Sequence, residues 1–119
     1  MSRYRPQPRS HRRFRRRLVR VLVDFLALGE ARCEYATTLG AGGLFIETEA
    51  PLAPRTLVRV RFRLPGGSAI HAIDGRVTWQ HRPADARAGD VRPAGMGIEF
   101  TDAAAASRLA HELDELPED

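Results

Sequence analysis

From Leu18 to Phe25 the chain alternates between two faces. Val19, Val21, Val23 and Phe25 share one, and Leu18, Arg20, Leu22 and Asp24 share the other. A period of two with β-branched residues predicts a strand. Gly29-Glu30 predicts a turn, and Arg32 to Leu39 the returning strand of a hairpin. Gly40-Ala41-Gly42-Gly43 packs three glycines into four residues, which calls for unusual backbone angles or a close neighbour. A short strand, Leu44 to Thr48, follows, and Pro51 and Pro54 mark a loop. Thr56 to Leu64 alternates cleanly, with Leu57, Arg59, Arg61 and Arg63 on one face and Val58, Val60, Phe62 and Leu64 on the other. Pro65-Gly66-Gly67 is a turn. Ala69 to His81 reads as a long strand in which Gly75 marks a bulge or bend. A polar loop over 82–94 leads to a last strand, Met96 to Phe100.

After Thr101 the period becomes helical. Ala106, Leu109, Leu113 and Leu116 recur at spacings of three and four, Thr101 or Asp102 can cap the start, and Pro117 ends the segment. Six strands and a C-terminal amphipathic helix over 101–116 predict an all-β fold, a small antiparallel barrel with the helix packed on it. A chain of 119 residues holds one such core, placed at 12–117. Residues 1–11, with two prolines and no apolar period, are expected to form a disordered basic arm.

Charge sharpens the division. Residues 1–20 hold nine arginines and no acid, whereas residues 21–119 hold ten arginines against fifteen acids, a net of −5. The overall +4 therefore combines a basic arm with a mildly acidic body, and lysine is absent altogether. No apolar run approaches the roughly 18–20 residues of a membrane-spanning helix, which argues against membrane insertion. The Arg-rich start before Leu18 to Leu28, with its twin Arg12-Arg13, resembles a secretory signal. Arg20 and Asp24 interrupt that stretch, and no small-x-small cleavage site follows it. A cytoplasmic protein is the expectation.

Enzyme chemistry finds little to work with. Ser10, Ser68 and Ser107 lack a histidine-acid grammar, and the acids are not paired. Cys33 reads as a small core or surface residue, and His71 and His81 as solvated or locally hydrogen-bonded side chains. The four histidines and single cysteine have no metal-ligand spacing. No catalytic residue, metal or cofactor is expected.

Two clusters stand apart. One is Arg12, Arg13, Arg15, Arg16 and Arg17, running into the first strand; the other is the glycine segment 40–43. Guanidinium groups bind phosphate bidentately, stack on bases and read the O6/N7 edge of guanine. A glycine-rich turn admits a ligand close to the backbone and offers N–H donors to an anion. Separately, the arginines read as a solvated tail and the glycines as a tight hairpin. Together they suggest a site for a phosphate-bearing guanine nucleotide.

On these residues the chain resembles the PilZ domain, a small bacterial barrel that binds cyclic di-GMP. The family carries R-x-x-x-R before its first strand and [D/N]-x-S-x-x-G leading into its third. Arg12-Arg13-Phe14-Arg15-Arg16 supplies the first motif, and Arg13 with Arg17 repeats the spacing one step on. TLGAGGLFIET resembles the second, and AGMGIEFTD resembles the family's ending. GGLFIET, VRVRFRLPGG and GMGIEF resemble a PilZ subgroup abundant in myxobacteria. The resemblance implies that Arg12 and Arg16, with Arg13 as alternate or helper, hold guanine and phosphate, and that Gly42 and Gly43 permit close approach. Trp79 reads either as an aromatic wall or as a structural tryptophan. Aligning Gly43 with the motif glycine puts Thr38 where the family has Asp or Asn, and Gly40 where it has Ser. Thr38 keeps a hydroxyl and Gly40 only its backbone. The lost bonds are worth roughly 2–4 kcal/mol, or about one to three decades of affinity.

The implied function is a cyclic di-GMP receptor whose arm and surface change on binding and are read by an unidentified effector protein, in motility or exopolysaccharide regulation. The alternative is a degenerate PilZ-like interaction module that has lost the nucleotide. Non-specific nucleic-acid binding by the arm ranks last. Nine arginines would give a steep salt dependence, but only Tyr4 and Phe14 accompany them as stacking groups, which argues against specific recognition.

Overall fold

The computed structural model describes residues 16–85, 89 and 92–116. Six strands, β1 (Arg16–Ala27), β2 (Glu30–Gly40), β3 (Gly43–Glu47), β4 (Leu57–Arg63), β5 (Ile70–His81) and β6 (Gly95–Phe100), precede one helix, α1 (Ala103–Glu115). Every strand pair is antiparallel, and the order β1-β2-β3-β6-β5-β4 closes into a barrel. Closure between β1 and β4 is brief, pairing Asp24, Phe25 and Leu26 with Arg61, Val60 and Arg59. The expected arm at 1–11, together with Arg12 and Arg13, lies outside the described residues.

The alternation seen in the sequence is the inside-outside alternation of the barrel. Val21, Val23 and Phe25 of β1 and Val58, Val60 and Phe62 of β4 are buried, whereas Leu22, Leu26, Leu57 and Arg59 face outward. Each aliphatic side chain taken fully inside contributes about 1.5–3 kcal/mol, so the register is fixed: a one-residue slip would turn the whole row out. Helix α1 covers the core with Ala105, Leu109 and Leu113. Asp102 caps it, its Oδ1 accepting from the Ala105 N–H at 3.1 Å. The innermost stripe therefore starts at Ala105, whereas the spacing predicted Ala106, which is only partly buried. Two adjacent alanines give periodicity nothing to choose between.

Three further expectations are corrected. The β1–β2 turn is Leu28-Gly29, with Glu30 already paired to Ala27. Both turn residues have positive φ, 55° and 75°, the backbone of a type I′ hairpin, whose twist matches that of the strands. Second, β5 is irregular between Val77 and Trp79, not at Gly75. Gly75 is a close approach instead: a Cβ there would lie 2.8 Å from the Glu99 carbonyl oxygen. Third, of the two readings of His71 and His81, solvated or locally hydrogen-bonded, their burial excludes the first. His71 lies on the inner face of β5 and meets Glu112 of α1, Nε2 to Oε1 at 2.5 Å.

Candidate functional site

The register of the first hairpin brings the two clusters together. Arg16 opens β1 directly opposite Gly40 at the end of β2, Arg17 faces Leu39, and Leu18 faces Thr38. Gly40 in turn faces Gly43 across the 41–42 turn. The C-terminal end of the arginine run and the glycine segment therefore share one end of the β1–β2–β3 sheet. Thr38 is half-buried, Gly40 is buried, and Gly42 and Gly43 are partly covered.

The glycine segment is not a left-handed turn. Among the described residues positive φ occurs at Leu28, Gly29, Arg55, Gly66 and Gly89, all outside it. Gly43 is fixed by its neighbour: a Cβ there would collide with the Ile98 carbonyl oxygen and lie 3.2 Å from the carbonyl carbon. The β6 backbone runs against this residue, and Phe100 N–H donates to the Gly42 carbonyl at 3.0 Å. The motif glycine thus serves the sheet itself.

Beside the segment lies a row that sequence reasoning did not assemble. Successive registers align Leu18, Thr38, Phe45, Gly97 and Trp79 across β1, β2, β3, β6 and β5. Trp79 is 46% exposed, on the outer face. Its ring stacks on Phe45 at 5.2 Å between centroids and 17° between planes. The indole lies against Gly97, where a Cβ would strike its Nε1, and the Phe45 ring covers Gly95 in the same way. Aromatic rings on neighbouring strands shield the bare backbone of edge-weakening glycines, and such a stack adds about 0.5–1.5 kcal/mol beyond area burial. The signal was present in GMG, two glycines alternating on one face of β6, but Trp79 lies 18 residues before Gly97 and Phe45 lies 50 before Gly95, further in sequence than local pattern reaches.

Other candidates separate from this region. The Cys33 thiol is exposed and is held above its ordinary value, first by a hydrogen bond to Asp24, then by partial burial and by the charges of Asp24 and Glu34. A thiol shifted that way is a poor nucleophile. Two arginines of β4 pair with acids on neighbouring strands. Arg59 reaches Asp74 through Nε at 2.8 Å and Nη2 at 3.4 Å, and Arg61 reaches Asp24 at 3.9 Å. The Arg59 hydrogen bond and charge hold the Asp74 carboxyl below its ordinary value, and Arg59 is raised in return. Among the described residues no group of three or more His, Cys, Asp or Glu could hold a metal ion, and no helix is long and apolar enough to cross a membrane.

A closed six-stranded antiparallel barrel with a C-terminal helix, carrying an arginine-led first strand against a glycine-rich β2–β3 turn, defines a class of small β-barrel domain. The PilZ domain model matches residues 7–115, and the chain belongs to that family. Solved structures that share the fold include two bacterial proteins. One is the Bacillus subtilis inhibitor of motility (MotI/DgrA), at 14% identity and TM-score 0.67, covering 87% of this chain and 50% of that one. The chain thus spans half the length of that protein. The other is the PilZ domain of CeSA from a cellulose-synthesizing bacterium, at 18% identity and TM-score 0.58, covering 84% of this chain and 98% of that one. No curated protein matches the sequence.

Proposed function

We propose that the chain is a cytoplasmic receptor module for cyclic di-GMP, without catalytic activity, that signals through an unidentified effector protein. The observation that carries this reading is the pairing of Arg16 with Gly40, which puts the C-terminal end of the arginine run beside the second motif. In this reading Arg12 and Arg16, or Arg13 and Arg17, take guanine and phosphate. The Thr38 hydroxyl accepts one bond, and the backbone of Gly40 and Gly42 lies alongside the ligand. The Phe45–Trp79 stack, in the same outer row as Thr38, bounds the site. Ordering the arginine-rich segment opposes binding and its charge assists it, so affinity falls with salt. The fold shared with an inhibitor of motility and with a CeSA domain supports motility or exopolysaccharide regulation as the process. The segments GGLFIET, VRVRFRLPGG and GMGIEF support the myxobacterial-type subgroup.

A second reading, an interaction module without the nucleotide, is favoured by Thr38 and Gly40 standing where the family has Asp or Asn and Ser. Trp79 is the sole tryptophan, so its emission during a cyclic di-GMP titration separates the two. A saturable change, lost in Arg12→Ala/Arg16→Ala or in Arg13→Ala/Arg17→Ala, supports the receptor and identifies the arginine register. A folded protein with unchanged emission and no ligand retained on equilibrium dialysis supports the second reading.

A further inference from the structure

The barrel closes, yet its longest hairpin outruns the closure. β3 pairs with β2 only from Ala36 to Gly40, so the first half of β2, Glu30 to Tyr35, is paired to β1 on one side alone. The direction of its free groups follows from the turn. Ala27 and Glu30 flank a two-residue loop and so exchange hydrogen bonds with each other. The alternation of an antiparallel ladder then points the N–H and C=O of Ala31 and Cys33 away from β1. Both residues are exposed, and no backbone partner meets them among the described residues. Exposed edges are ordinarily blunted by proline, lysine, a bulge or a covering loop. Among the described residues none of these interrupts Glu30 to Tyr35; the bulge in β2 comes only after Ala36.

The side chains on this edge say what fits it. Arg32 and Glu34 share the inward side, where Arg32 Nη2 lies 3.2 Å from Glu34 Oε2 and both reach Thr48 Oγ1, at 2.8 and 2.9 Å. Ala31, Cys33 and Tyr35 share the outer side. Turned about a two-fold axis through Cys33, the sequence Ala31-Arg32-Cys33-Glu34-Tyr35 is complementary to itself. Arg32 falls opposite Glu34 of a second copy, Glu34 opposite its Arg32, and Ala31 opposite its Tyr35. Each carboxylate then lies between two guanidinium groups, and each tyrosine ring covers a small residue.

We propose that the free edge of β2, from Ala31 to Tyr35, is a homodimer interface in which two copies of this chain join antiparallel strands about Cys33. This is strand addition with an isologous two-fold interface. It is independent of nucleotide binding, because the edge lies at the other end of β2 from Thr38 and Gly40. Cys33 and its copy form the central hydrogen-bonded pair, about 5.5 Å between Cα atoms, within the span a disulfide bridges.

Sedimentation of the full chain at up to about 100 µM tests it without nucleotide. The expected result is a species of twice the 13.3 kDa chain mass. Arg32→Glu and Glu34→Arg each set like charges across the axis and should sediment as monomers. Mixed in equal amounts they should form a heterodimer, and the double exchange Arg32→Glu/Glu34→Arg should restore the homodimer. Should either variant fail to fold, wild-type protein oxidised by diamide, which takes up the two thiol hydrogens, gives an independent reading. The dimer should become covalent through Cys33, and Cys33→Ser should dimerise without cross-linking. A monomer throughout the concentration range, a dimer indifferent to both charge reversals, or a dimer whose Cys33 residues stay unlinked would overturn the proposal.

Discussion

Replacing Gly43 by alanine separates two readings of the second motif. If the glycine exists for the ligand, Gly43→Ala weakens nucleotide binding and leaves the apo barrel intact. The structure gives the opposite order of events. The new Cβ would meet the Ile98 carbonyl oxygen, the Ile98 carbonyl carbon at 3.2 Å and the Glu99 Cα at 3.3 Å. All three are main-chain atoms of β6, so no flexible side chain can swing aside. Five residue pairs, from Gly43↔Glu99 to Glu47↔Gly95, share the register that would have to shift. Overpacking of this kind costs about 1–3 kcal/mol, and a rigid neighbour puts Gly43→Ala at the upper end. At about 4–8 °C per kcal/mol for a domain near this size, the melting temperature should fall by more than ~10 °C. Thermal melting followed by circular dichroism, without nucleotide, is the assay. Gly29→Ala is the control: its φ is 75°, nothing lies within 4 Å of the added Cβ, and only the left-handed backbone, about 1–2 kcal/mol, is penalised. A Gly43→Ala protein that melts like wild type would refute the packing argument and return the glycine to the ligand.

Other consequences follow from the same geometry. Leu28 holds φ at 55° while 81% exposed, so Leu28→Asn should raise the urea midpoint by an amount worth roughly 0.5–1 kcal/mol; an unchanged or lower midpoint would contradict the turn assignment. Leu109 is fully buried beneath α1, and Leu109→Ala should lose about 2–5 kcal/mol, read by the same denaturation. Asp74, held below its ordinary value by Arg59, contributes stability that is present above the unfolded carboxyl value and lost as pH falls through the lowered folded one. Both partners are exposed, so the contribution is small and salt-sensitive. Asp74→Asn should therefore slightly flatten the acid limb of a stability–pH profile at low salt, and a large effect at high salt would be inconsistent with this pair.

What the sequence made visible depends on how local its cause is. The β4 alternation of Val58, Val60 and Phe62 against Leu57, Arg59 and Arg61 is a property of seven consecutive residues, and the structure has the same faces. The final helix was equally visible through Leu109 and Leu113, with its start blurred by the alanines before them. Causes that cross the barrel were not visible. Gly75 announced an irregularity because glycine is rare in strands, but its reason is the β6 main chain. Whether His71 was solvated or hydrogen-bonded stayed open in the sequence because Glu112, its partner, lies on the last helix. The candidate site divides in the same way. Arginines and glycines were conspicuous as clusters, whereas their apposition needed the register of β1 on β2. Phe45 became part of the site only through three successive strand pairings with Thr38, Gly97 and Trp79.

Calorimetric titration of the full chain with cyclic di-GMP in about 150 mM salt, a concentration at which exposed charges more than ~8 Å apart are screened, tests the central claim most directly. The account predicts saturable heat with a dissociation constant of about 1 µM or tighter, abolished in Arg12→Ala/Arg16→Ala or in Arg13→Ala/Arg17→Ala. A folded protein that gives no heat at high ligand concentration would contradict it, and would leave the barrel as an interaction module whose ligand is another protein.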